Sequence, residues 1–136
     1  MLDILLVEDS PGDARLAAEA WKETGLPGHL HVVADGVQAI HYLRQSGTPL
    51  PDLLLLDLNL PLKDGWEVLA EIKDDPALKR IPVVVLTTSQ AENDILQSYD
   101  LHANCFIAKP VDLDGFISVI RSIADFWGRV VLLPPR

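Results

Sequence analysis

The chain has 136 residues, of which 49% are hydrophobic and 23% charged, so it can form one globular domain with one core. Its 11 Lys and Arg against 20 Asp and Glu give a net charge of −9, which disfavours binding to nucleic acid. The chain has no membrane-length apolar run, no basic export signal and only one cysteine, Cys105. We therefore expect no membrane partner and a cytoplasmic location.

Five short apolar runs alternate with helical patterns along the chain. The runs predict buried strands at Ile4–Val7, Leu30–Val33, Leu53–Leu56, Val83–Leu86 and Cys105–Ala108. Helix N-caps are predicted at Ser10, Asp35, Asp64, Ser89 and Asp112. The βαβαβαβαβα order predicts an α/β fold with a parallel sheet, right-handed crossovers and helices on both faces.

Polar side chains follow four of the predicted strands at their carboxyl ends, where such sheets bind ligands. Glu8 and Asp9 end the first strand, Asp57 the third, Thr87 the fourth and Lys109 the fifth. Two carboxylates about 4 Å apart repel by roughly 4 kcal/mol at an effective dielectric near 20. A divalent cation and the lysine would remove that repulsion, and oxygen ligands of this kind suit Mg²⁺.

A lone aspartate beside a metal and a lysine indicates phosphoryl transfer, which depends on positioning and charge stabilisation. Asp57 can be the nucleophile and form an aspartyl phosphate. Asp9 and Asp57 can hold Mg²⁺ directly, and Glu8 can do so through water. Lys109 and the Thr87 hydroxyl can bind phosphoryl oxygens.

The chain resembles the receiver domains of two-component response regulators from Leu2 to about Trp127. The resemblance rests on four segments: ILLVED at 4–9, LLDLNLPLKDG at 55–65, IPVVVLT at 81–87 and FIAKP at 106–110. It implies a flavodoxin-like (βα)5 fold with strand order 2-1-3-4-5. It also implies that a histidine kinase phosphorylates Asp57, that the signal is a conformational change, and that the chain catalyses only its own phosphorylation and dephosphorylation.

The resemblance assigns further roles. The backbone carbonyl of Asn59 is expected to be the third protein ligand of the metal, and Phe106 to swing inward when Thr87 moves. The Lys109–Pro110 peptide bond is expected to be cis. Two residues depart from the common pattern: Thr88 stands where many members have Ala or Gly, and Phe106 replaces the commoner Tyr. Thr88 is expected to narrow access to Asp57 and to alter phosphotransfer rates.

The second half of the chain is similar to the single-domain regulators that partner phytochrome-type histidine kinases. The matching segments are TTS at 87–89, SYDLHANC at 98–105, FW at 126–127 and the apolar tail. This similarity alone implies a kinase of that type as the partner.

The predicted domain boundaries are 1–127 for the receiver domain and 128–136 for an apolar C-terminal tail. Trp127, Val130, Val131, Leu132 and Leu133 can fold back on their own domain or cross to a second subunit. We favour the second interpretation, a homodimer that uses the fifth helix and this tail.

Two other functions remain open at this stage. A phosphatase of the haloacid-dehalogenase type also uses an Asp nucleophile with Mg²⁺, but it needs the nucleophile on the first strand and a second Asp two residues later, where this chain has Asn59. A flavodoxin-like module would bind a nucleotide after the first strand, where Glu8 and Asp9 would repel phosphate.

Overall fold

The computed structural model describes residues 1–135, which form five strands and five α-helices in strict alternation. The strands are β1 (Leu2–Val7), β2 (Gly28–Val33), β3 (Leu53–Leu56), β4 (Val83–Thr87) and β5 (Cys105–Ala108). The helices are α1 (Pro11–Glu23), α2 (Gly36–Arg44), α3 (Gly65–Asp74), α4 (Glu92–Asp100) and α5 (Leu113–Asp125). A π-helical turn, Phe126–Val130, follows α5 directly. No helix within residues 1–135 combines the length and the apolar character needed to cross a membrane.

The five strands form one parallel sheet in the order β2-β1-β3-β4-β5, which confirms the predicted fold. Alternate residues of the central strands point to opposite faces. Leu54 and Leu56 of β3 pack on the α2–α3 side, and Leu53 and Leu55 pack on the α1–α5 side. The all-leucine β3 is therefore buried on both faces and forms the centre of the domain.

The two edge strands are less buried than predicted. His31 and Val32 of β2 are exposed, and every residue of β5 is only half-buried. Each of these strands has a neighbour on one side only, so an apolar sequence run does not ensure full burial there.

Four of the five predicted N-caps are confirmed. The side chains of Ser10, Asp35, Asp64 and Asp112 each accept a hydrogen bond from the backbone N–H three residues later. The fifth prediction is wrong, because α4 begins at Glu92 without a side-chain cap. The Ser89 hydroxyl instead donates to Asp94 Oδ2 at 2.5 Å, so the serine contacts a side chain inside the first turn.

The tail contacts its own domain over part of its length. Trp127 and Leu133 pack against the α1–α5 side of the core, and Arg129 Nη2 donates to the Thr24 carbonyl at 3.1 Å. Val130 and Leu132 are 69% and 96% exposed. Of the five apolar tail residues named above, Trp127 and Leu133 therefore contact their own domain, Val131 is half-buried, and Val130 and Leu132 face outward. The predicted tail also includes Arg136, which lies outside the described residues.

Candidate functional site

The parallel register gathers the polar strand ends at one edge of the sheet. Val7 of β1 is level with Leu56 of β3, and Leu56 is level with Val85 of β4. The residues that follow are tied to their neighbours by backbone bonds: Asp57 N donates to the Val7 carbonyl at 3.2 Å, and Lys109 N donates to the Thr87 carbonyl at 2.7 Å.

Three carboxylates converge at this edge as predicted. Glu8, Asp9 and Asp57 each offer an oxygen, and these oxygens lie within 4.8 Å of one another. Glu8 and Asp57 are buried, whereas Asp9 is exposed at the mouth of the site. An all-oxygen donor set with one open side fits a hard divalent cation that retains part of its water shell, as Mg²⁺ does.

Lys109 is the positive centre of the site. Its ammonium lies 2.5 Å from Glu8 Oε2, 3.1 Å from Asp57 Oδ2 and 3.1 Å from Asp13 Oδ2, with the lysine side chain only 6% exposed. Burial alone would lower the pKa of Lys109, but the hydrogen bond to Glu8 and the charge of Asp57 outweigh burial and hold the pKa above its usual range. The lysine is therefore a fixed cation beside the Asp57 carboxylate.

For Glu8, unlike Lys109, the effect of burial on the pKa outweighs that of the neighbouring groups. Burial raises the pKa of Glu8, and the hydrogen bonds from Lys109 and from Ser10 N to Glu8 counteract this rise only in part. Burying a carboxylate is costly unless positive charge lies close by. This requirement supports a cation site at the three carboxylates.

The β3–α3 connection holds the Asp57 carboxylate in place. Asp57 Oδ1 accepts a hydrogen bond from Asn59 N at 3.1 Å, and Gly65 N donates to the Leu58 carbonyl at 3.0 Å. A Cβ at Gly65 would lie only 2.4 Å from the Asp57 carbonyl oxygen. The glycine therefore allows α3 to begin directly against the backbone of the candidate phosphoacceptor.

Thr87 is fully buried at the end of β4. Its Oγ1 has no hydrogen-bond partner among the residues that the structure describes. A buried hydroxyl without a hydrogen-bond partner costs free energy. A phosphoryl oxygen bound at this site would give the Thr87 hydroxyl a partner, which is a physical reason for a threonine at this position. Thr88 is exposed, and Phe106 is half-buried against the α2–α3 side of the core. The switch roles of Thr87 and Phe106, and the effect of Thr88, stay predictions.

One prediction at this edge is wrong. No cis peptide bond occurs within residues 1–135, so the Lys109–Pro110 bond is trans. For an X–Pro bond the trans form is the intrinsically favoured one, by about 0.5–1 kcal/mol.

Asp13 belongs to the site but was not predicted from the sequence. This aspartate was visible only as an acid in the first turn of α1, yet its carboxylate contacts Lys109. The usable signal was its position: α1 starts two residues after Asp9, so its first turn stands beside the same strand ends.

Comparison with known proteins agrees with this geometry. Residues 4–121 match the family described as the response regulator receiver domain. The chain is 50% identical to the response regulator Rcp1 of Synechocystis sp. in an alignment of 135 residues that covers 96% of this chain and 92% of that protein.

Two solved structures superpose closely. The Mn²⁺-bound form of response regulator Rcp1 has a TM-score of 0.94 at 49% identity, over 99% of this chain and 100% of that one. The phosphorylated cyanobacterial phytochrome response regulator RcpA has a TM-score of 0.95 at 51% identity, over 98% of this chain and 99% of that one. The strand order, the carboxylates at the strand ends and these matches agree, and the chain belongs to the response regulator receiver domain family.

Proposed function

We propose that this chain accepts a phosphoryl group from a histidine kinase on Asp57, in a Mg²⁺-dependent reaction, and signals through the resulting conformational change. The observation that carries the proposal is the Lys109 ammonium between the buried carboxylates of Glu8 and Asp57, beside the exposed Asp9. This arrangement places a nucleophilic oxygen, a fixed cation and an open oxygen donor set at one point.

In the proposed reaction, a carboxylate oxygen of Asp57 attacks the phosphorus of a phosphohistidine on the kinase. A P–O bond forms, the P–N bond breaks, and its electron pair stays on the imidazole nitrogen. Lys109 donates a hydrogen bond to a phosphoryl oxygen, and the Thr87 hydroxyl, which has no other partner in the described chain, donates to another.

Asp9 and Asp57 would hold Mg²⁺ directly, Glu8 through water, and the Asn59 carbonyl would be the third protein ligand. Bound Mg²⁺ would neutralise the carboxylates and the transferred group. The Mn²⁺-bound structure of the similar Rcp1 supports this assignment. The haloacid-dehalogenase alternative is not favoured, because the nucleophile would end β3 and Asn59 cannot act as the acid–base.

Incubation with acetyl phosphate and Mg²⁺ tests the proposal. The wild-type chain should gain the mass of one phosphoryl group, and Asp57→Asn should not. Asp100→Asn, a change of the same type at an exposed position of α4, is the matched control and should label normally. Labelling of Asp57→Asn at the wild-type rate would contradict the assignment.

A phytochrome-type kinase is the partner we propose, supported by the similarity to the cyanobacterial phytochrome response regulator RcpA. The test is to measure the rate of phosphotransfer to this chain from each member of a panel of purified, autophosphorylated histidine kinases. The fastest transfer should come from a phytochrome-type kinase, and faster transfer from an unrelated kinase would contradict it.

We further propose a homodimer that forms through the outward side of α5 and the tail. Phe126, Val130 and Leu132 are exposed apolar residues on this continuous segment, which supports an interface there. Trp127 and Leu133 would then hold the tail on its own domain and present the exposed residues.

Sedimentation separates these roles of the tail. The double change Val130→Ser and Leu132→Ser should yield monomers that unfold at the midpoint that the wild-type chain shows when it is diluted to a monomer. Truncation after Phe126 should both yield monomers and lower the free energy of unfolding, because Trp127 and Leu133 are lost from the core. A dimer that persists in the truncated chain would contradict the proposal.

A further inference from the structure

The Lys109 ammonium has a third carboxylate partner that the proposed mechanism does not use. Asp13 Oδ2 lies 3.1 Å from Lys109 Nζ, as close as Asp57 Oδ2. An ammonium group has three N–H donors, and the three carboxylates of Glu8, Asp13 and Asp57 occupy all of them. No Lys109 donor is therefore spare for an incoming phosphoryl oxygen in this arrangement.

Asp13 differs from the other two partners in its surroundings. Its side chain is 38% exposed, whereas those of Glu8 and Asp57 are 4% and 8% exposed. A carboxylate that can be rehydrated loses less when its ion pair breaks than a buried one does. Asp13 is thus the partner that Lys109 gives up at the lowest cost.

The position of Asp13 is set by the start of α1. Pro11 begins the helix, and the Asp13 N–H donates to the Ser10 hydroxyl at 3.3 Å. This cap places the Asp13 side chain in the first helical turn, directly beside the strand end that carries Glu8. The contact with Lys109 is therefore anchored by regular secondary structure rather than by a loose surface loop.

We propose that Asp13 is a positioning residue that competes with the phosphoryl group for Lys109 and whose charge shifts the site from anion binding towards cation binding. The inference rests on the proposed function and adds to it. With Asp13, four acids face one lysine, so the metal-free site has a local charge of −3. Removing the Asp13 charge should weaken the binding of a cation and strengthen the binding of a phosphoryl analogue.

The size of the effect follows from distance. Asp13 Oδ2 and Asp57 Oδ2 both lie 3.1 Å from the same nitrogen, so they are no farther apart than twice that distance. One unit charge at such a separation changes an affinity by roughly three- to tenfold for an effective dielectric of about 40 to 80.

The experiment compares Asp13→Asn with the wild-type chain in two titrations. Calorimetry measures Mg²⁺ affinity, and fluorine NMR measures beryllofluoride affinity at saturating Mg²⁺. Asp13→Asn should bind Mg²⁺ about three- to tenfold more weakly and beryllofluoride about three- to tenfold more tightly. Asp13→Glu should restore the wild-type values. Glu19→Gln, the same charge change farther along α1, should alter each affinity by less than about twofold.

The opposite signs identify the role. If Asp13 only kept Lys109 in place, Asp13→Asn would weaken both affinities, and that result would overturn the inference, as would two unchanged affinities. If the wild-type chain bound beryllofluoride but Asp13→Asn did not change the Mg²⁺ and beryllofluoride affinities in opposite directions, only this inference would be overturned. A wild-type chain that binds no beryllofluoride in Mg²⁺ would overturn the proposed function as well.

Discussion

Replacing Gly65 by alanine should displace the backbone of the phosphoacceptor. The added Cβ would lie 2.4 Å from the Asp57 carbonyl oxygen and 2.5 Å from Leu58 Cα, both of which are backbone atoms. Such contacts must open by about 1 Å, and overpacking of this kind costs about 1–3 kcal/mol. Alanine regains up to about 1 kcal/mol of helix propensity, so we expect a net loss of about 1–2 kcal/mol in the free energy of unfolding.

Gly12→Ala is the matched control for this prediction. Gly12 also lies in the first turn of its helix, but a Cβ there would meet only Ser10 Oγ, at 4.0 Å. This variant should be as stable as the wild type or more stable by up to about 1 kcal/mol. Urea unfolding followed by circular dichroism measures both changes. Acetyl phosphate labelling should slow about tenfold or more in Gly65→Ala only, because its carboxylate is displaced.

If Gly65→Ala were as stable as Gly12→Ala and labelled at the wild-type rate, the close approach of α3 to Asp57 would not constrain the site.

Four further outcomes follow from the structure. Thr87→Val should raise the free energy of unfolding by about 1 kcal/mol, since it removes a buried orphan hydroxyl, and should abolish the structural response to beryllofluoride seen by NMR. Ser98→Ala, which removes the other such hydroxyl, should stabilise the chain but keep that response. Mg²⁺ at ten times its Kd should stabilise the wild type against urea by about 1.4 kcal/mol and Asp9→Ala much less; equal shifts would place the metal elsewhere. Burial lowers the pKa of Lys73, so charged Lys73 costs stability below its folded pKa, and this cost disappears as the pH rises towards 10.5. The free energy of unfolding of Lys73→Met, relative to that of the wild type, should therefore be higher at neutral pH than at pH 10. The substitution also removes the 2.8 Å hydrogen bond to the Ile81 carbonyl.

The sequence predicted the sheet well because its signals are local. The apolar runs of β3 and β5 coincide with the observed strands, and four caps form the predicted hydrogen bonds. The failed cap at Ser89 shows the limit of this reasoning. The Ser89 hydroxyl can accept a hydrogen bond from a backbone N–H or donate one to a nearby carboxylate. Only the folded geometry places the Asp94 carboxylate within its reach.

The residues of the site that follow strands could be predicted from the sequence. Glu8, Asp57 and Lys109 meet because parallel strands place their carboxyl ends at one edge. Asp13 could not be found in this way, because it lies on a helix and its contact with Lys109 depends on how α1 packs against the sheet. The contacts of the tail could not be predicted for a related reason. Its apolar sequence is equally compatible with packing on its own core and with packing on a second chain.

The central claim is that Asp57 carries the phosphoryl group. Borohydride reduction converts an aspartyl phosphate to homoserine, and tandem mass spectrometry then identifies its position. After phosphorylation in Mg²⁺, we expect homoserine at position 57 and none when the metal is chelated. Homoserine at another acid of the site, or equal conversion without Mg²⁺, would contradict it.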